Sequence, residues 1–273
     1  MTGGASGIGA ALALELVRSG AHVTIADRDE AALADTAARI GATPAVLDVR
    51  DAGALDDLVA RVVAEHGAID LMVNNAGITM GGPTHELSVA HWDRTIDINL
   101  RGVVHGVQAA YPRMVQQGHG QIVNTASAAG LVAPPFVVPY ATTKHAVVGL
   151  SLGLRPEAAL HGVRVNALCP GSVETPILDR APEADLPPRA SATVTARTYL
   201  AKLRQKPIPA DRFAAGAMRG IERDQPIIVV PRSAKALWYG QRLSPGLVQR
   251  VLKPIAATVD HDLIHPAPPP VDG

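Results

Sequence analysis

The chain of 273 residues has a single cysteine, Cys169, so it can form neither an internal disulfide nor a metal site built from several thiolates. A reducing compartment is therefore expected. The formal net charge is zero, which argues against nucleic acid as the main partner. No apolar run approaches the roughly 18 residues of a membrane span, and the N-terminus lacks a signal-peptide pattern. These absences together predict a cytoplasmic protein.

Short β-rich runs alternate with helical stretches over the first 170 residues, and 47% of the chain is apolar. The predicted strands are 22–26, 45–47, 71–73, 121–124, 164–168 and 227–230, and the predicted helices are 10–19, 29–40, 54–65, 88–117 and 139–160. Such alternation favours an α/β fold, a doubly wound, Rossmann-like parallel sheet with helices on both faces. We expect one domain over 1–235, a C-terminal helical extension over 236–265 and a flexible tail over 266–273.

The stretch TGGASGIG at the N-terminus places Gly3, Gly7 and Gly9 in the spacing TGxxxGxG. Glycines at these places let backbone N–H groups approach a pyrophosphate at a helix N-terminus, although a simple capping turn has a similar composition. The next strand ends in Asp27, about 20 residues on, where a carboxylate bonds the adenosine ribose. A carboxylate repels a 2′-phosphate, so NAD is favoured over NADP, while the neighbouring Arg28 softens that preference.

Three residues of the segment NTASAAGLVAPPFVVPYATTK predict acid–base chemistry: Ser127, Tyr140 and Lys144. Tyr140 and Lys144 are four residues apart and share a helix face. A nearby ammonium, helped by a cationic nicotinamide ring, is expected to lower the pKa of the phenol, which could then exchange a proton with an alcohol or ketone. Elsewhere such a pair is an ordinary exposed helix face, but here it follows a strand that ends in serine.

From Thr2 to about Thr175 the chain resembles the short-chain dehydrogenase/reductase family. TGGASGIG is similar to its cofactor loop, NNAG (74–77) to the motif after its fourth strand, DINLRG to the segment with its catalytic asparagine, and PGSVETP (170–176) to its nicotinamide-binding segment. The cofactor-binding residues that the resemblance implies are Gly3, Ser6, Gly7, Ile8, Gly9, Asp27, Arg28, Asp48, Val49, Asn75, Ala76, Gly77, Tyr140, Lys144, Pro170, Gly171, Val173 and Thr175.

The resemblance also implies the reaction, a hydride transfer between a substrate carbon and nicotinamide C4. Tyr140 is then the general acid/base, Lys144 lowers its pKa and binds the nicotinamide ribose, Ser127 orients the reacting oxygen, and Asn99 anchors a water. A lyase or epimerase is an alternative, but relatives with that chemistry usually carry the spacing TGxxGxxG. A homodimer or homotetramer is expected, with the helices from about Ser88 and Pro139 in the contact.

The chain departs from the family at its start, because the family has a strand immediately before the TG of the loop and this sequence has none. Without that strand the cofactor loop is expected to lose its anchor, and we hypothesise that the natural protein starts upstream. A truncated enzyme fragment, or a catalytically impaired dinucleotide-binding protein, stays open as an alternative. Inside the helix after the tyrosine, Pro156 predicts a kink or an end.

The C-terminal region is basic and apolar. Between Gln225 and Val259 there is no acidic residue, and the basic ones are Arg232, Lys235, Arg242, Arg250 and Lys253. Two interpretations stand: helices that pack over the substrate cleft or a partner subunit, or an amphipathic patch on an anionic membrane surface.

The segment LVAPPFVV, residues 131–138, is almost wholly apolar and predicts a hydrophobic secondary alcohol or ketone as substrate. His261 and His265 are four residues apart but have no third ligand in sight, so no metal site is predicted.

Overall fold

The computed structural model describes residues 1–179, 185–188, 195–203, 205–231 and 233–264, the last five by their backbone alone. Strands β1 to β6 span Thr24–Asp27, Thr43–Val46, Leu71–Asn74, Gly120–Thr125, Val163–Pro170 and Ile227–Val230. Helices α1 to α10 span Gly7–Arg18, Glu30–Ile40, Ala52–His66, Val89–Ile96, Gly102–Gln117, Val138–Ala159, Ala196–Lys202, Ala210–Glu222, Ala234–Leu243 and Pro245–Ile264.

All strand pairs described are parallel. One ladder joins β1 to β2, and the other runs in the order β3-β4-β5-β6. The longest register, β4 on β5, pairs Gly120 with Val163 through to Thr125 with Leu168. Strands covered on both faces become near-continuous apolar runs, and β5 is buried at every residue but Arg164. The predicted doubly wound α/β fold is confirmed.

The start of the chain joins the two ladders. Thr2 forms a parallel bridge with Ala26 of β1. Its N–H donates to the Val73 carbonyl of β3 at 3.0 Å, while the Ala26 N–H donates to the Met1 carbonyl at 2.8 Å. No named strand precedes the glycine loop, as predicted, but two residues hold the central position between β1 and β3. The expectation that the loop lacks an anchor is therefore wrong, because backbone bonds tie it to both neighbours.

Successive residues of β4 point to opposite faces of the sheet and enter two separate cores. Ile122 lies in a cluster with residues of α3, α5 and α6, including Val107 and Val147. Val123 lies in another, with Leu12 of α1 and Phe213 of α8. Helices thus cover both faces, which leaves the carboxyl-end edge of the sheet free for the loops that carry the candidate site.

The long helix predicted over 88–117 is interrupted. It consists of α4, a π-helical turn over Asp97–Arg101, and α5, which also continues through Pro112. Pro156, which predicts a kink or an end, lies in the last turn of α6. That helix ends three residues later, at Ala159. Hydrophobic spacing located these helices, but it carries no signal for the single extra residue that a π turn needs.

The C-terminal helices return to the body of the protein. Trp238 of α9 packs against the core under α5 and α6. Val248 and Leu252 of α10 are buried together with Val132, in the loop between β4 and α6. Within the described part of the chain, no helix combines the length and hydropathy needed to cross a bilayer. The predicted tail over 266–273 lies outside the described residues.

Candidate active site

The glycine loop has the backbone that a phosphate needs. Gly3 and Gly7 have φ values of 63° and 54°, in the left-handed region that favours glycine. At Gly9 a Cβ would lie 2.0 Å from the Gly3 carbonyl oxygen, so only glycine lets α1 start so close to the loop. Ser6, the residue before α1, makes no capping bond with its side chain. The first N–H groups of α1, from Gly7 and Ile8 onward, can therefore bind an anion.

The motif after β3 is bonded to this loop. The Thr2 hydroxyl accepts the N–H groups of Asn75 and Ala76 at 3.0 and 3.2 Å. The Asn75 side chain donates to the Gly3 carbonyl at 3.0 Å. A Cβ on Gly77 would lie 3.1 Å from the Asn99 amide oxygen and 3.4 Å from Lys144 Nζ. The predicted cofactor and catalytic residues thus meet at this turn.

Asp27 ends β1 beside the loop. One carboxylate oxygen accepts the Ala5 N–H of the loop at 3.2 Å, and the other accepts the Asp29 N–H at 3.3 Å. The Thr36 hydroxyl donates to the Ala5 carbonyl at 2.8 Å, so both backbone groups of Ala5 are held by side chains. Asp27 therefore shapes the loop in addition to offering oxygens to a ribose, and Arg28 next to it is exposed.

Asp48 and Val49, two of the predicted cofactor-binding residues, follow β2. The guanidinium of Arg50 lies 2.6 Å from the Asp48 carboxylate and holds the pKa of that carboxyl below its ordinary value. Val49 is buried under the start of α5, where a Cβ on Gly102 would lie 2.8 Å from its side chain. Asp48 is thus fixed in an ion pair, and Val49 contributes mainly to packing between β2 and α5.

The nicotinamide segment starts at the end of β5, with Pro170 as the last strand residue. The Gly171 N–H donates to the Val230 carbonyl at 2.8 Å, and Val173 forms a parallel bridge with Ile208. A Cβ on Gly7 would lie 3.1 Å from the Thr175 side chain. The N-terminus of α1 and this segment therefore lie next to each other.

Ser127, Tyr140 and Lys144 converge at the carboxyl end of β4. Ser127 follows that strand, and its hydroxyl accepts the Ala129 N–H at 3.1 Å. Tyr140 and Lys144 lie on α6, with Lys144 Nζ 5.8 Å from the centre of the phenol ring. The Lys144 ammonium donates to the Thr125 carbonyl at 2.8 Å. The strand that delivers the serine also fixes the lysine, which explains why the two lie so near each other.

Burial dominates the protonation of this cluster. It raises the pKa of Tyr140 above the ordinary tyrosine value, and a hydrogen bond with the Ser127 side chain opposes the rise. It also lowers the pKa of Lys144 to about 8. Burial thus opposes the expected fall in the Tyr140 pKa, and the Lys144 ammonium donates to the Thr125 carbonyl.

Asn99 lies in the π-helical turn and is fully buried. Its amide oxygen accepts the Ile78 N–H at 2.8 Å, and its amide nitrogen donates to the Ile78 carbonyl at 3.0 Å and to the Thr143 hydroxyl at 3.3 Å. The side chain therefore ties the turn after β3 to α6, one residue from Lys144. π turns recur at functional sites because they redirect single residues in this way.

Four further residues contribute contacts that the sequence analysis missed. Thr125 offers only its backbone carbonyl, and Thr143 acts through a hydroxyl inside a helix, so neither carries a pattern of its own. Burial raises the pKa of the Cys169 thiol to about 12, while the Ser127 backbone and the Lys144 charge lower it. The Tyr199 hydroxyl donates to the Pro135 carbonyl at 2.8 Å and so ties α7 to the loop before Tyr140.

The loop over 131–138 forms an apolar wall next to Tyr140, the predicted general acid/base. Leu131 and Val132 are buried, and Val132 lies against Val248 and Leu252 of α10. Phe136 has φ of 60°, a strained value for a bulky residue, and its carbonyl accepts the Gly82 N–H at 2.7 Å. The packing interpretation of the C-terminal helices is thus supported for the buried face of α10.

No metal-ligating cluster of three or more side chains occurs among the residues that the structure describes. This finding does not extend to His261 and His265, for which no metal site is predicted, because the structure does not describe their side chains.

Comparisons with known proteins agree with this geometry. The family model described as short chain dehydrogenase matches residues 1–185. The probable oxidoreductase EphD of Mycobacterium tuberculosis is 42% identical over 184 residues, which are 65% of this chain but only 31% of that protein. The chain therefore spans about a third of the length of this relative.

Two solved structures extend the likeness over most of the chain. A short chain dehydrogenase/reductase from Burkholderia phymatum, in complex with NAD, has a TM-score of 0.82 at 31% identity and covers 90% of this chain and 93% of its own. A short-chain dehydrogenase from Sphingobium yanoikuyae, in complex with NADPH, has a TM-score of 0.74 at 25% identity, with 100% and 96% covered. With a family match over most of its length and this site geometry, the chain belongs to the short-chain dehydrogenase/reductase family of oxidoreductases.

Proposed function

We propose that the protein transfers a hydride between NAD(P) and a hydrophobic secondary alcohol or ketone. The observation that carries the proposal is the convergence of Ser127, Tyr140 and Lys144 at the strand end beside the glycine loop. The residues present fit a dinucleotide, since Gly3 and Gly7 give the loop its left-handed turn, Gly9 lets α1 start directly against that loop, and the α1 N–H groups are uncapped. When bound, the cofactor supplies the hydride acceptor or donor.

In this proposal each side chain of the site has its own role in proton transfer. Tyr140 gives a proton to a ketone oxygen or takes one from an alcohol. Burial raises its pKa, so the phenol form suits reduction, and oxidation is expected to gain as pH rises toward phenolate formation. Ser127 bonds both the phenol and the reacting oxygen. Lys144 and Asn99 are positioning groups that fix α6 against the loop.

We propose NAD as the preferred nucleotide, because the Asp27 carboxylate at the end of β1 disfavours a 2′-phosphate. The neighbours described above bind NAD in one case and NADPH in the other, so the family fold accepts both. The proposal of a hydrophobic substrate rests on the apolar segment 131–138 before Tyr140, in which Pro134, Phe136 and Val137 are only half-buried.

The test compares Tyr140→Phe with wild type on a panel of secondary alcohols and ketones, with both nucleotides. The phenylalanine keeps the ring but cannot transfer a proton, so kcat should fall about 10³-fold. NAD affinity, measured by fluorescence titration, should stay within about twofold, since the phenol makes little of the binding energy. Tyr111→Phe, on α5 outside the site, is the matched control and should keep full activity.

Two results would count against the proposal. Retained turnover in Tyr140→Phe would remove the acid–base role. NAD binding by a wild-type protein that turns over no member of the panel would instead favour the impaired dinucleotide-binding protein.

A further inference from the structure

The exposed large apolar side chains of the protein are concentrated in its C-terminal helices. Of nine such residues described, five lie between positions 237 and 251: Leu237, Tyr239, Leu243, Leu247 and Val251. Leu243 is 87% exposed, at the turn between α9 and α10. Val248 and Leu252 of α10 are buried against the loop before Tyr140. Leu247 and Val251, next to them in sequence, lie on an exposed side of the same helix, and the other three exposed residues belong to α9.

The same segment is locally cationic although the whole chain is neutral. Arg242, Arg250 and Lys253 are exposed, and no acidic residue occurs between Gln225 and Val259. The ion pairs formed among the described residues use other arginines and histidines. The Arg242 guanidinium lies over the Trp238 ring, 5.9 Å from its centre, so this surface carries a cation and an aromatic side chain next to each other.

We propose that this surface, Tyr239 to Lys253, binds the anionic headgroup layer of a lipid bilayer. Exposed leucines flanked by arginines and lysines are the composition of helices that lie in a membrane interface, where apolar side chains enter the acyl boundary and cations meet the headgroups. A second copy of the chain fits less well, because a two-fold contact would bring identical cationic patches together. Nucleic acid would use the cations but leave the leucines in water.

The test measures co-sedimentation with phosphatidylcholine vesicles that contain about one-third phosphatidylserine, beside vesicles of phosphatidylcholine alone. Each basic residue near such a surface contributes roughly fivefold in partitioning, so the triple variant Arg242→Gln, Arg250→Gln, Lys253→Gln should bind roughly 100-fold more weakly. The control Arg61→Gln, Arg212→Gln, Arg223→Gln changes net charge equally on other exposed helices and should bind like wild type. Circular dichroism confirms that each variant is folded.

A second variant addresses the apolar half of the surface. Leu243→Ser with Leu247→Ser should weaken binding to anionic vesicles and leave the oligomeric state in sedimentation velocity unchanged. The proposal is overturned if wild type binds neither vesicle, if both charge variants bind alike, or if the serine variant dissociates an oligomer without changing vesicle binding. Binding that persists in molar salt would also count against it, since headgroup attraction is screened.

Discussion

The pH dependence of the unfolding free energy measures how much the buried Lys144 ammonium destabilises the folded protein. Burial lowers its pKa from the ordinary value of 10.5 to about 8. Below about pH 8 the lysine is charged in both the folded and the unfolded chain, and the full cost of burying the ammonium is present. Between about 8 and 10.5 the folded lysine is neutral while the unfolded one still binds a proton. Folded stability contributed by this group must therefore rise with pH across that window.

The size of the effect follows from the two pKa values. Linkage gives a gain of about 2 kcal/mol between pH 7 and pH 9.5 from this residue alone. In Lys144→Met the titrating group is gone, so the difference in unfolding free energy between variant and wild type should shift by that amount. Loss of the bond to the Thr125 carbonyl displaces the variant's curve at every pH but does not change its slope.

Equilibrium urea unfolding at fixed protein concentration and several pH values measures this difference. Cys169 titrates in the opposite sense, because burial raises its pKa to about 12, so unfolding is favoured as pH rises above the ordinary value of 9.0. Wild type and Lys144→Met both contain Cys169, so its contribution largely cancels in the difference between their unfolding free energies. A difference that stays flat from pH 7 to 9.5 would refute the claim that Lys144 is buried as a destabilised cation.

Two further predictions concern the nucleotide loop. Gly9→Ala places a Cβ 2.0 Å from the Gly3 carbonyl, so NAD affinity should fall at least about tenfold in titration. The control Gly53→Ala, on the exposed start of α3, should leave NAD affinity unchanged. Equal NAD affinities for Gly9→Ala and wild type would contradict the close approach. Asp27→Ala removes the carboxylate that disfavours a 2′-phosphate, so the ratio of kcat/KM for NADP to that for NAD should rise about tenfold, and Arg28→Ala should lower it. An unchanged ratio in the Asp27 variant would reject the proposed basis of cofactor choice.

The sequence was sufficient for the parts of the protein that depend on periodicity and on motifs with fixed order. The strand Ile227–Val230 was predicted to the residue, and the others within two residues at each end. Gly3, Asn75 and Tyr140 were singled out because each belongs to a motif whose residue types are required by backbone geometry or by proton chemistry. The structure brings these residues to one edge of the sheet, as crossover topology demands.

The remaining features depend on tertiary contacts that no local pattern encodes. Two residues, Met1 and Thr2, bridge β1 and β3 mainly through backbone bonds, which any residue type can form, and so short a segment has no periodicity that would predict a strand. The π turn around Asn99 is an insertion within a regular hydrophobic pattern. The protonation of Tyr140 depends on how deeply the ring is buried and on where the Lys144 ammonium points, and both are set by the packing of α6 on β4 and β5.

The wall beside the catalytic tyrosine is assembled from stretches of chain that are distant in sequence. Val132 belongs to the region shared with the family, but Tyr199, Val248 and Leu252, which support that wall, come after its last matched residue. The residues that support this wall are thus separate in sequence from the proposed proton-transfer residues. Exchange or redesign of the residues after 185 is therefore expected to change substrate selectivity while Ser127, Tyr140 and Lys144 are retained.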